Sequence, residues 1–173
     1  MQPPSEQPSY SERFNWVIVF VFLAAIGSCG LVALPVAVYG YRSYVTRARV
    51  AETRQIMRAL AGGIGECASQ SPSGGPLLPP TALPVPLALA SVSGRRYHSA
   101  ASDWQDEAYR CARFTLGSAQ SAQLQWIRMS DTEGYVRATV DVNGDMTPDW
   151  ILEQTVQCGA DGRCTIGEPS DRR

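Results

Sequence analysis

The N-terminal part of the chain is a short polar segment followed by an unbroken apolar run. Residues 1–15 are polar and proline-rich, which predicts a disordered arm. Residues 16–41 carry no charge, and an apolar helix of about 24 residues is roughly 36 Å long, enough to cross a bilayer. A cleaved secretory signal is the alternative, but its apolar region would be only about 7–15 residues long. We therefore predict an uncleaved transmembrane helix over residues 16–41.

An amphipathic pattern follows this run. Apolar or small residues recur every three or four positions, which places them on one helical face: Thr46, Val50, Thr53, Met57, Leu60, Ile64 and Cys67. The Ser/Pro/Gly-rich sequence from Ser71 onward ends the pattern. The sequence thus predicts an amphipathic helix over residues 42–69, continuous with the membrane helix, whose apolar face packs on a sheet.

The C-terminal half has the two-residue period of strands. Residues 70–103 mix aliphatic residues with proline, glycine and serine, which favours an extended connector over a surface. Beyond it, alternating patterns predict strands over residues 110–116, 123–129, 135–141 and 150–156, with a final hairpin ending near Ile166. The predicted fold class is α+β. The long helix would pack on an antiparallel four-stranded meander over residues 104–167, followed by a tail over residues 168–173.

The net charge bears on the possible partners of the protein, and the cysteine content bears on its compartment. A net charge of −1 gives no field that would attract nucleic acid, so we expect no nucleic-acid partner. Cys29 lies in the apolar run, and four cysteines follow it: Cys67, Cys111, Cys158 and Cys164. An even number beyond the span indicates disulfides in an oxidising compartment. Zinc is the alternative, but the sequence has no CxxC pair, and His98 is its only histidine.

The clearest candidate site is an acidic segment between the third and fourth predicted strands. Oxygen-bearing side chains occupy alternate positions, at Asp141, Asn143, Asp145, Thr147 and Asp149. Calcium takes six to eight oxygen ligands, and this spacing can wrap a loop around it, with the carbonyl of Thr147 available. The segment resembles the D-x-N-G-D-G-x-x-D calcium loops of extracellular repeat families, with Met146 in place of the second glycine and Leu152 in place of the bidentate glutamate. A solvated Asn-Gly hairpin is the alternative.

Catalytic signatures are missing from the sequence. It contains no Gly-x-Ser-x-Gly, no phosphate loop and no histidine paired with cysteine or aspartate at motif spacing. We therefore expect that the protein is not an enzyme. Residues 95–98, Arg-Arg-Tyr-His, form a candidate ligand contact, for which a solvated loop is the alternative.

The segment from Pro35 to Glu52 resembles type IV pilins and pseudopilins. In those proteins a proline is followed by a Tyr-x-x-Tyr element, here Tyr41 and Tyr44, and then by a Thr/Arg/Ala-rich amphipathic segment containing a glutamate. The closest likeness is to pilin-like membrane proteins of delta-proteobacterial type. Prepilins carry a glycine just before a phenylalanine, for peptidase processing, and a glutamate in the apolar run, for assembly. Here Arg13 precedes Phe14, and the run has no glutamate.

The resemblance implies a membrane-anchored structural or interaction protein, such as a minor-pilin-like component. Its expected partners are the lipid bilayer and other pilin-like subunits, contacted through the N-terminal helix. It implies a C-terminal disulfide loop, Cys158–Cys164. We expect Cys67 to pair with Cys111 and tie the helix end to the first predicted strand, although four cysteines permit three pairings. A calcium-stabilised extracytoplasmic binding module is the alternative function.

Two signals disagree about orientation. Arg42, Arg47 and Arg49 follow the apolar run, whereas Arg13 alone precedes it, and the positive-inside rule would then place the C-terminal domain in the cytoplasm. The cysteines and the resemblance indicate the opposite side. We follow these two and predict a single-pass protein of the bacterial inner membrane with its C-terminal domain in the periplasm or at the cell surface.

Overall fold

A single helix, α1, runs from Tyr10 to Ser69. The computed structural model describes residues 10–70 and 78–172, and within α1 it describes side chains at Trp16, at residues 18–21 and from residue 37 onward. Most of the predicted arm therefore lies outside the described residues. The chain divides into two units, Met1–Val45 and Thr46–Arg173.

The helix begins earlier than the predicted boundary at residue 16. Residues 10–15 are helical, so the disordered arm predicted over residues 1–15 is wrong for these six. The order Ser9-Tyr10-Ser11-Glu12 matches a capping box, a sequence signal typical of a helix start. In the part of the chain that the structure describes, no helix combines the length and the apolar character needed to cross a membrane. Side chains at residues 17 and 22–36 lie outside that part, and the membrane span stays a prediction.

The Thr46–Arg173 unit is α+β, as predicted, with an antiparallel sheet. Two short 3-10 helices, Leu89–Ser91 and Ala101–Trp104, precede helix α2. The later elements are α2 (Glu107–Cys111), β1 (Gln123–Arg128), β2 (Glu133–Val140), β3 (Trp150–Cys158), β4 (Cys164–Ile166) and β5 (Ser170–Asp171). The strand order is β1-β2-β3-β4, and β5 pairs with β3 beside β4. The tail predicted over residues 168–173 therefore contains a short strand.

The strand predicted over residues 110–116 is wrong. Residues 110 and 111 belong to helix α2, and residues 112–116 form a turn and irregular chain without any strand pairing. The Phe114 N–H donates to the Tyr109 carbonyl oxygen at 2.9 Å, so the backbone bonds of this segment stay local. Trp104 lies edge-on to both rings, with centroids 5.0 Å from Tyr109 and 5.1 Å from Phe114. This aromatic cluster stabilises α2 and the turn after it.

The core lies between the C-terminal part of α1 and one face of the sheet. Met57, Leu60 and Ile64 are fully buried in one cluster with Trp126 of β1 and Val136 of β2. The predicted helical face is thereby confirmed, and burying each such side chain contributes about 1.5–3 kcal/mol. The same face of the sheet also carries Leu124, Ala138, Val140, Leu152 and Val156.

Glycine makes room for the largest side chain of this core. Gly134 of β2 lies beside Trp126, and a Cβ added at Gly134 would be 2.5 Å from the Cη2 atom of that indole. Any side chain at Gly134 would therefore displace the Trp126 ring.

The connector runs extended along the free edge of β1. Backbone N–H groups of Ala82 and Val85 donate to the carbonyl oxygens of Trp126 and Leu124, at 3.1 and 2.8 Å. The indole N–H of Trp126 donates to the Pro79 carbonyl oxygen at 2.9 Å. The connector thus satisfies polar groups that an open sheet edge would expose.

Two disulfides join these elements. Cys67 of α1 is bonded to Cys111 of α2, and Cys158 of β3 is bonded to Cys164 of β4. These are the pairs expected from the sequence. Close packing of α1 on its neighbours depends on Gly63, where an added Cβ would be 2.5 Å from the Ala112 carbonyl oxygen. A glycine that weakens an isolated helix therefore permits tertiary contact here.

The two disulfides should contribute unequally to stability. The Cys67–Cys111 bridge spans a sequence separation of 44 residues and Cys158–Cys164 one of 6. Loop entropy then gives about 4 kcal/mol for the first bridge and about 2 kcal/mol for the second. We expect the Cys67→Ser/Cys111→Ser variant to lose more free energy of unfolding than Cys158→Ser/Cys164→Ser, measured by denaturant titration of the full chain in detergent. Equal losses of unfolding free energy in the two variants would contradict an origin in loop entropy.

Candidate functional site

The predicted ligand residues all lie in the loop that joins β2 to β3. The Asp149 N–H donates to the Val140 carbonyl oxygen at 2.8 Å and closes the base of this loop, which we call the acidic loop (residues 141–149). The structure therefore brings the five residues together on one connection. Asp141 is buried, whereas Asn143, Asp145, Thr147 and Asp149 are exposed.

Asp141 points into the loop and organises its backbone. Its Oδ1 atom accepts the Gly144 N–H at 2.8 Å, and its Oδ2 atom accepts the Met146 N–H at 2.9 Å. Burial by itself would raise the pKa of Asp141. Hydrogen bonds from the Ser93 side chain and from the backbone N–H groups of Gly144, Met146 and Asp145 outweigh burial, so the pKa lies below its ordinary value. The carboxylate is therefore a structural acceptor held in its charged form.

The exposed side chains of the loop also accept hydrogen bonds from backbone N–H groups of the loop. The Asn143 Oδ1 atom accepts the Asp145 N–H at 2.8 Å, and the Asp145 Oδ1 atom accepts the Thr147 N–H at 2.7 Å. The Asp149 Oδ2 atom accepts the Val142 N–H at 2.7 Å. The Asn143 amide nitrogen lies 3.1 Å from Asp145 Oδ2 and 3.4 Å from Asp149 Oδ1. Two carboxylates thus converge on one amide group.

A turn of the connector fixes the acidic loop from outside. The Gly94 N–H donates to the Asp141 carbonyl oxygen at 3.0 Å. A Cβ added at Gly94 would be 3.2 Å from the Gly144 Cα atom, and both glycines have positive φ, of 65° and 83°. Only glycine combines that backbone with such a close approach. Met146 also has a positive φ, of 67°, at the position where the resembled calcium loops carry glycine.

This geometry bears on the calcium prediction in two ways. Among residues 10–70 and 78–172, no group of three or more His, Cys, Asp or Glu side chains is arranged to hold a metal ion. The oxygens of Asp145 and Asp149 instead accept hydrogen bonds from within the loop. A carboxylate oxygen that accepts one N–H keeps a second lone pair, so these bonds leave acceptor capacity at the exposed end. Calcium binding stays a prediction.

The Arg-Arg-Tyr-His segment contacts the protein itself. The Arg95 guanidinium donates to the Ala90 carbonyl oxygen at 2.6 Å, and Arg96 forms an ion pair with Glu52 of α1. The Tyr97 hydroxyl donates to Asp103 Oδ2 at 2.8 Å, which raises the pKa of Tyr97. Three of the four side chains are therefore used in tertiary contacts, and the exposed His98 is left as the candidate ligand contact.

Ser93 and Gly94 complete the candidate site and were missed by the sequence reasoning. Their signal was an ordinary Ser-Gly turn in the connector, about fifty positions before the acidic loop. Nothing in that turn indicates which loop it will contact.

Comparison with known proteins gave no match to a family model, to a curated protein or to a solved structure.

Replacing Asp141 tests its role as an organiser. Asp141→Asn should lower the free energy of unfolding by about 1–3 kcal/mol at pH 7, because an amide places a donor against backbone N–H groups. The matched control is Asp161→Asn, which removes the same charge from a side chain that is 65% exposed and should cost less. Denaturant unfolding of the three proteins measures the difference.

The same comparison has a pH dependence of known sign. Because the folded-state pKa of Asp141 is lowered, the unfolded state binds more protons. The stabilisation of the folded state by Asp141 is therefore complete well above the unfolded pKa of about 3.9. It is lost as pH falls through that value towards the lower folded pKa. The stability gap between wild type and Asp141→Asn should therefore shrink in acid, and a gap that widens would contradict the assignment.

Proposed function

We propose that the chain is a membrane-anchored, pilin-like structural or interaction protein whose C-terminal domain faces the periplasm or the cell surface. The observation that carries the proposal is the exposed apolar surface in the N-terminal part of α1. Trp16 and Phe20 are each 64% exposed, and Tyr39 is 79% exposed. Large apolar surfaces of this kind on a protein normally meet lipid or a partner helix.

The disulfides support the location. Cytosolic proteins rarely keep structural disulfides, because the compartment is reducing, whereas secreted and periplasmic domains commonly have them. Both bridges lie in the Thr46–Arg173 unit, which places that unit on the oxidising side in our proposal.

The layer order supports the pilin-like part of the proposal. A long helix comes first, an antiparallel sheet packs on its C-terminal part, and a short disulfide loop closes the sheet. Tyr41 and Tyr44 of the Tyr-x-x-Tyr element are exposed, and that surface is available to neighbouring subunits. The family glycine and glutamate are absent from the N-terminal segment, so we propose a permanently anchored, minor-pilin-like component without a catalytic role.

Membrane extraction with charge-insertion variants tests this proposal. Wild type should stay in the membrane pellet after alkaline carbonate treatment. Phe20→Arg/Val21→Arg should leave the pellet or be degraded, because each arginine costs about 2.5–3.5 kcal/mol within a span. The matched control is Met129→Arg/Met146→Arg, which changes two exposed apolar side chains of the Thr46–Arg173 unit and should stay in the pellet.

Two further readouts complete the experiment. Mass spectrometry of the purified protein should find an intact N-terminus, whereas a start at Phe14 would indicate prepilin-type processing. Non-reducing electrophoresis of cells should show both disulfides formed. Wild type recovered entirely in the soluble fraction would contradict the anchor, and reduced cysteines in cells would contradict the orientation.

A calcium-stabilised binding module is the second candidate function. The observation in its favour is the convergence of Asp145 and Asp149 on one amide, at 3.1 and 3.4 Å. In the described residues, no arginine forms an ion pair with Asp141, Asp145 or Asp149. A cation would relieve the repulsion between these carboxylates.

Calcium titration distinguishes this second candidate. Millimolar Ca²⁺ should raise the melting temperature of wild type, and Asp145→Ala should abolish the rise. Asp161→Ala removes another exposed aspartate, from a different turn, and should keep the rise. An unchanged melting temperature at millimolar Ca²⁺ would rule out the calcium function and leave the pilin-like proposal standing.

A further inference from the structure

A small groove lies between the first turns of the Thr46–Arg173 unit and strand β3. Its volume is about 240 Å³, and its lining residues are Thr46, Arg47, Val50, Ala51, Arg54 and Trp150. Arg47 and Arg54 are seven positions apart, so they lie on one helical face about two turns from each other. Val50 and Ala51 lie between them in sequence, and Trp150 of β3 provides the opposite wall. The groove is therefore apolar along its length and cationic at both ends.

Within the described part of the chain, the arginines of this groove have no carboxylate partner. Across the described residues, the arginine ion pairs of α1 involve Arg58 with Glu168, and Glu52 with Arg96. Neither Arg47 nor Arg54 forms an ion pair there, and both are exposed. Glu52, the acidic residue of this segment, is already paired. The segment thus presents uncompensated positive charge.

The side chains that line the groove favour one class of ligand. Guanidinium groups bind phosphate through paired N–H donors. An indole beside aliphatic side chains suits the boundary between a polar headgroup and acyl chains. A small free anion would use the cationic ends of the groove and leave its apolar wall unused. A phosphate group joined to an apolar chain matches both.

We propose that this groove binds the headgroup of an anionic phospholipid. The inference rests on the proposed membrane anchor, since Arg47 follows the predicted span over residues 16–41 within about two helical turns. Basic residues this close to a span lie within about a Debye length of the headgroups, where each attracts anionic lipid. Lipid binding in the groove would hold the sheet-bearing unit at the membrane surface.

Native mass spectrometry of the full chain in detergent tests the proposal. The probes are phosphatidylglycerol and phosphatidylcholine of identical acyl chains. Wild type should retain phosphatidylglycerol about thirtyfold more tightly than phosphatidylcholine, as expected for two arginines near anionic lipid. Arg47→Gln/Arg54→Gln should lose that preference. The matched control, Arg110→Gln/Arg113→Gln, removes two exposed arginines outside the groove and should keep it.

The outcomes separate this inference from the proposed function. A protein that is soluble without detergent would contradict both. A protein that needs detergent but shows no preference, or the same preference in Arg47→Gln/Arg54→Gln, would overturn the lipid site alone.

Two other results would replace the lipid by a different occupant and overturn the proposal. One is displacement of phosphatidylglycerol by millimolar inorganic phosphate, which would assign the groove to free phosphate. The other is loss of a dimer in the groove variant without any lipid preference, which would assign it to a second copy. Near-ultraviolet circular dichroism and intact disulfides confirm that each variant is folded.

Discussion

The contact between the apolar face of the C-terminal part of α1 and the sheet is the interaction on which the rest of the Thr46–Arg173 unit depends. Met57, Leu60 and Ile64 bury completely against the face that carries Trp126, and Gly134 leaves space for that indole. Once this layer forms, the connector can follow the edge of β1 and accept the Trp126 N–H. The Cys67–Cys111 bridge then joins α1 to α2 at a point where Gly63 already permits close approach.

The acidic loop follows a different principle from the core. Its carboxylates satisfy their own backbone, and Asp141 is charged because N–H donors surround it. A buried aspartate with such partners is a rigid structural element. The connector turn at Gly94 makes the loop part of the fold, and its outer end, which includes Asp145 and Asp149, is exposed.

The functional proposals concern three surfaces with different chemistry. The N-terminal part of α1 exposes large apolar side chains, which suit lipid or partner helices. The groove beside Trp150 combines an apolar wall with two arginines that form no ion pair within the described residues, which suits an anionic headgroup. The acidic loop exposes oxygen atoms. If the first two surfaces both meet a bilayer, anchoring and headgroup binding would reinforce each other.

Sequence periodicity by itself determined the helix face, strands β1, β2 and β3, and the β4 hairpin. The reason is that burial on one face imposes a period of 3.6 residues in a helix and 2 in a strand. Both periods are visible in the order of apolar and polar residues along the sequence. The resemblance to pilins led to the disulfide pairs that the structure contains, whereas cysteine spacing left three pairings open. The α+β class followed from the order of these patterns.

Tertiary structure decided what periodicity could not. Residues 110–116 alternate like a strand, yet packing of Trp104 on Tyr109 and Phe114 makes the segment a short helix and turn. The partner of Asp141 also comes from a distant part of the chain, at Ser93, and so does Trp150, which lines the same groove as Arg47. Local sequence specifies which residue types are present, but the direction of a side chain depends on neighbours that only the folded chain brings together.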